Sequence, residues 1–222
     1  MDRIFVASRQ ESSLLSTHKV LRNTYFLLSL TLGFSALSAT ISTALKLPRP
    51  GLLLMLIGFY SLMFFTHKLA NGSAGILSAF ALTGFMGYTL GPILSSLIAD
   101  SVSVIIMVAL CGTALVFCCS SAYVLTTRKN MSFLSGMMLA GFIVLIVGGI
   151  SNLFLQLSAL HLALSGMLIL FSAGAILSET SNIIHGGETN YIRATVSLYA
   201  SIYNLFISLL SILGIMRNDK PD

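Results

Sequence analysis

The chain has 222 residues, 56% of them hydrophobic and only 9% charged, with a mean hydropathy of +0.94. A water-soluble domain carries about 25% charged residues, so these values exclude a soluble globular fold, and also a disordered chain, a coiled coil or a disulfide-rich secreted module. The net charge of +5 arises from 12 basic and 7 acidic residues without any basic run, which argues for a lipid bilayer and against nucleic acid as partner.

The first segment, residues 1–23, is polar and carries Arg3, Arg9, Glu11, Lys19 and Arg22. It reads as a cytoplasmic tail that a protein partner can reach. A membrane helix needs about 20 predominantly apolar residues to cross about 30 Å of hydrocarbon. Seven stretches qualify: roughly Thr24–Leu45, Gly51–Thr66, Ala74–Ile98, Val102–Leu125, Phe133–Leu155, Ala159–Ser178 and Ala194–Met216. The second is short and extends toward Ala70, with Lys68 reaching back to the interface. The expected architecture is an all-α integral membrane protein, a seven-transmembrane-helix bundle over residues 24–216 with a short tail at 217–222. The first apolar run of about 22 residues exceeds the usual 7–15 of a cleaved signal, so it reads as a retained helix.

Basic residues in short loops set membrane orientation. One side collects Arg3, Arg9, Lys19, Arg22, Lys68, Arg128, Lys129 and Arg193, eight in all; the other collects Lys46, Arg49, Arg217 and Lys220, four in all. The excess puts the N-terminus in the cytoplasm and the C-terminus outside. Within the third span, Gly87 and Gly91 have GxxxG spacing, which serves either close packing inside the bundle or a dimer face.

Little in the spans points to chemistry. Cys111, Cys118 and Cys119 share the fourth span; two residues of one helix seven apart are beyond disulfide reach, and no His or Cys stands nearby to complete a metal set. His18, His67, His161 and His185 each fall near a span end, none in a metal-binding frame. With no catalytic order of Ser, His and Asp and no phosphate loop, the chain is expected to be no enzyme and to need no cofactor.

The informative stretch runs from Glu179 to Arg193, between the sixth and seventh spans. Glu179 closes a long apolar run. An ionised acid at helix depth costs about 2.5–3.5 kcal/mol at the bilayer centre and less toward the edge, so it should face the bundle or a wet crevice, where its protonation can respond to pH or a cation. In the seventh span Ser197, Ser201 and Asn204 recur at i, i+4 and i+7 on one face, and Tyr199 and Tyr203 form a second stripe. Such stripes face protein or a cavity, not lipid. They place the last helix at the centre of the bundle, either as glue or as the lining of a path.

The acid-Thr step at 179–180, the Ile-Ile pair, the glycine-containing loop, Tyr191-Ile192 and the helix Leu198-Tyr-x-x-x-x-Asn-Leu-Phe206 together resemble the signature of the transmembrane Bax-inhibitor-motif family. The head Leu14–Leu32, Gly91-Pro-Ile-Leu and Ser121-Ala-Tyr-Val-Leu-Thr-Thr-Arg look like its bacterial YccA-like inner-membrane branch, and the likeness covers about residues 11–214. The resemblance implies a seven-helix fold with a central last helix and no enzymatic activity. It implies a non-enzymatic regulator that binds a membrane-anchored ATP-dependent protease complex of the FtsH type and restrains degradation of membrane proteins. For other members it implies a pH-sensitive calcium leak, gated by two aspartates. The first aspartate matches Glu179 and the second matches Ser201. One carboxylate with the hydroxyls of Ser197 and Ser201 would be a weak Ca2+ site, so the missing acid favours the regulator over the leak.

Overall fold

In the computed structural model, residues 2–99 and 103–218 are described, with side chains over 17–51, 53–98 and 103–215. Every predicted span is a helix: α1 (Asp2–Ala44), α2 (Leu52–Leu69), α3 (Ser73–Ala99), α4 (Ser103–Thr127), α5 (Ser132–Leu155), α6 (Ser158–Ile184) and α7 (Tyr191–Asn218). Six of them are long and apolar enough to cross a membrane, whereas α2 is a shorter apolar helix. The sequence expects the second span to be the shortest, and the 18 residues of α2 lie within the range of about 17–25 that crosses a bilayer. At about 1.5 Å per residue, the 18 residues of α2 extend about 27 Å, just under the hydrocarbon thickness.

Two boundaries moved. The polar head is helical and continuous with the first span, because α1 is one helix of 43 residues. No Pro or Gly occurs before Gly33 to interrupt it, and extending a helix from an anchored span is cheap compared with starting one. The side chains of Arg3, Arg9 and Glu11 lie outside the described residues, as do residues 219–222 of the expected C-terminal tail. At the other end, α6 continues six residues past the predicted Ser178, so Glu179 lies inside it.

The chain divides into two compact units, one of Met1–Ala99 with Asn182–Tyr199, the other of Asp100–Ser181 with Ala200–Asp222. The first unit is held by α1 against α3. Three hydroxyls of α1 donate to carbonyls of α3: Ser38 Oγ to Gly84 O at 2.8 Å, Ser42 Oγ to Tyr88 O at 3.0 Å and Thr43 Oγ1 to Gly91 O at 3.2 Å. Pro92 lies inside α3 and has no N–H to give to the carbonyl four residues back. That carbonyl belongs to Tyr88, and Ser42 supplies the missing donor. Close approach is possible because residues 87 and 91 are glycines: a Cβ on Gly87 would strike the Ser35 backbone carbonyl, and one on Gly91 would strike Ser42. The GxxxG spacing therefore serves packing inside this chain. Tyr199 of α7, 2% exposed, completes the unit. Its hydroxyl shares a 2.6 Å hydrogen bond with Ser35 and donates to Thr83 O at 3.3 Å.

In the second unit, Ala109, Val124, Ile176 and Leu205 are fully buried, yet α5 buries none of its side chains. Its leucines, isoleucines and phenylalanines point outward, as they do on a helix whose solvent is lipid. The three cysteines of α4 are exposed on the same kind of surface.

Two substitutions test the α1–α3 seam. Gly87→Ala must displace backbone, which costs about 1–3 kcal/mol. Ser42→Ala leaves the Tyr88 carbonyl without a donor, also at about 1–3 kcal/mol. Unfolding in mixed micelles should show both losses, with Ser29→Ala, whose hydroxyl only bonds its own helix, close to wild type.

Candidate functional site

The stretch that the sequence singles out begins where α6 stops. Gly186 takes φ +74°, a left-handed value that glycine adopts without strain. The Gly187 N–H reaches Asn182 O at 2.9 Å and the Gly186 N–H reaches Ile183 O at 3.2 Å. These paired bonds form a Schellman stop. Gly187 is needed for space as well, since a Cβ there would overlap the Asn182 side chain.

From this stop the chain turns into α7 through Asn190. Its Oδ1 accepts the Ile192 N–H at 2.9 Å and the Arg193 N–H at 3.3 Å, capping the first turn of α7. Its Nδ2 donates to Ala70 O and to Asn71 Oδ1, both at 3.0 Å, in the turn between α2 and α3. Its own N–H is received by Glu188 Oε1 at 2.7 Å. Arg193 adds a contact from Nη2 to His67 O at 3.4 Å, placing a cation at the C-terminus of α2. A cavity of about 600 Å³ opens beside this clasp, lined by Asn71, Ser73, Thr189, Asn190 and Tyr191 among others. The reach of Asn190 to residue 71 and of Arg193 to residue 67 is invisible in the sequence.

The residues expected to line a central path are placed as follows. Glu179 is half-buried on α6, followed by the fully buried Thr180, and Ser201 is 9% exposed on α7. Ser197 is half-buried, while Asn204 is exposed. The stripe is thus not uniformly enclosed: burial rises from Ser197 to Ser201 and gives way to exposure at Asn204. Glu179, Ser201 and Asn204 belong to one compact unit and Ser197 to the other. Near Glu179, Ser181 Oγ accepts the Met131 N–H at 3.0 Å and donates to Lys129 O at 3.3 Å, joining α6 to the α4–α5 loop. Of the tail residues, Lys19 and Arg22 are exposed.

Comparison with known proteins adds the decisive observation. Residues 17–218 match the family described as inhibitor of apoptosis-promoting Bax1. The chain belongs to that family. Among its relatives in the family, it is 66% identical to the modulator of FtsH protease YccA of Escherichia coli K12, covering 99% of this chain and 100% of that one. The same identity and coverage hold for the inner membrane protein YccA of E. coli O6:H1. An uncharacterised protein of Pasteurella multocida is 60% identical, again over 99% of this chain and 100% of its own length. The Bax1-inhibitor match covers all of α2 to α7 and the membrane portion of α1, so the Asn190 clasp and the α1–α3 seam both lie within the family's common region. Among the described residues, no group of three or more His, Cys, Asp or Glu could hold a metal ion.

Asn190→Ala removes a helix cap and two interhelical donors together. The expected cost is about 1–3 kcal/mol for the orphaned backbone groups. Limited proteolysis of the purified protein should then cut between residues 184 and 190 faster than in wild type. An unchanged cleavage rate would show that the loop is held by other contacts.

Proposed function

We propose that this chain is a non-enzymatic regulator of the inner membrane, which binds a membrane-anchored ATP-dependent protease of the FtsH type and restrains its degradation of membrane proteins. The observation that carries this reading is the 66% identity, over essentially the whole of both chains, to a protein named as a modulator of FtsH protease. The fold supplies a compatible handle. At about 1.5 Å per residue, the 43 residues of α1 extend about 65 Å, roughly twice the hydrocarbon thickness. Its first turns therefore project from the bilayer, the stretch to which the sequence assigns Arg3, Arg9, Glu11, Lys19 and Arg22.

In this reading the N-terminus is cytoplasmic, on the side with eight of the twelve basic residues. The C-terminus lies outside if α2 crosses, its exposed Lys68 reaching the cytoplasmic interface. Half of the apolar window of α7 is buried, as in α3, against none in α5, which supports an inward-facing last helix. The calcium-leak alternative draws no support from position 201, where a buried serine replaces the second acid; one carboxylate in place of two, at Glu179, makes for weak binding of a divalent cation.

Affinity purification from membranes should recover the protease with the full chain and lose it when residues 2–16 are deleted. Overproduction should lengthen the half-life of the protease's membrane substrates while leaving its soluble substrates unaffected. Recovery of no protease subunit, together with unchanged turnover, would remove the proposal. Reporter fusions at residues 1 and 222 read the orientation, with opposite sides expected.

A further inference from the structure

Three helices of the first unit meet at the end where the polar head enters the membrane span. Thr195 Oγ1 of α7 donates to Thr24 O of α1 at 3.2 Å, and Arg193 Nη2 of α7 donates to His67 O of α2 at 3.4 Å. Arg22 stands two residues before Thr24, Arg193 two before Thr195, and Lys68 directly after His67. One rim of this unit thus collects a cation from each of three helices. Lys68 is one residue from the end of α2 and Arg193 is the third residue of α7, so the rim lies at the depth of lipid headgroups.

Arg22 and Lys68 are exposed, and setting membrane orientation accounts for them. Arg193 differs. It is half-buried, and its Nε is shielded from solvent without a hydrogen-bond partner. Among the described residues it forms no ion pair, and the His67 carbonyl answers only one of its five donors. The remaining acids are too far away. Asp2 and Glu11 lie on α1 at least 11 residues, about 16 Å, before Arg22. Asp100, Asp219 and Asp222 follow the far ends of α3 and α7, helices of 27 and 28 residues and so about 40 Å long. Glu188 Oε1 is engaged by the Asn190 N–H. A guanidinium stays charged at any working pH, and a shielded charge with an open donor calls for an anion.

We propose that this rim binds the headgroup of an anionic phospholipid, with Arg193 holding the phosphate. Its Nε and open Nη donors form the fork that matches two phosphate oxygens. Lys68 and Arg22 add the positive field of a basic site between membrane helices. Ile57 and Phe64 share the face of α2 with Lys68, and each is 65% exposed, which gives the acyl chains an apolar track. Charge complementarity selects the lipid: three cations favour a net negative headgroup and repel the ammonium of a zwitterionic one. Depth selects the source of the phosphate, because headgroups surround this level on every side.

Full-length protein, delipidated in detergent, is titrated with phosphatidylglycerol or phosphatidylethanolamine of identical chains, and retained lipid is counted by native mass spectrometry. Salt is held at about 0.15 M, where exposed charges are screened beyond about 8 Å. The glycerol lipid should bind about tenfold more tightly. Arg193→Gln should remove most of that preference, and Arg193→Lys, which keeps the charge and loses the fork, should weaken it severalfold. Lys129→Gln, which removes an exposed cation of the second unit, should bind as the wild type does. Equal retention of the two lipids by the wild-type protein would overturn the proposal, and that comparison needs no variant to fold. An undiminished preference in Arg193→Gln would overturn it too. So would an equal loss in Lys129→Gln, which would show only the general attraction of a basic protein for acidic lipid. Glycerol 3-phosphate at the same concentrations should leave the lipid in place; displacement would point to a soluble phosphate ligand and overturn the assignment to a membrane lipid.

Discussion

Inside a membrane bundle a backbone carbonyl that loses its helical partner cannot turn to water, and this constraint organises the first unit. Pro92 removes one donor from α3, and the Ser42 hydroxyl of α1 replaces it at 3.0 Å. That replacement works only if the two helices touch. Touching in turn requires glycine at 87 and 91, since any Cβ there would meet α1. The hydroxyls of Ser38 and Thr43 extend the same pattern to Gly84 and Gly91. Proline, glycines and hydroxyls are thus parts of one device, in which polar satisfaction and close packing need each other.

The same logic governs the loop between α6 and α7. Its backbone leaves one helix and enters another within a few residues, so a full set of terminal N–H and C=O groups needs partners. Gly186 and Gly187 close α6 onto itself, and Asn190 caps α7 while gripping the α2–α3 turn. Each bond is modest. Their convergence on one asparagine makes the loop a structural joint.

The outer faces of α4 and α5 are mostly apolar, as on helices whose solvent is lipid.

The sequence by itself determined the helices, since apolar run length counts residues against a bilayer of known thickness. It also carried the family, and it marked the 179–193 stretch, where charge and glycine interrupt an otherwise featureless chain. It misjudged α1 and α6, because a polar residue looks like an ending when only hydropathy is read, although a helix ends where its backbone is capped. Only the tertiary structure decided that Ser42 answers Pro92, that Asn190 reaches residue 71 and that His161 pairs with Ser211, residues 50, 119 and 50 positions apart, respectively. Such pairings depend on which helices become neighbours and on their rotation, and hydropathy, which is nearly uniform around these helices, carries no record of either.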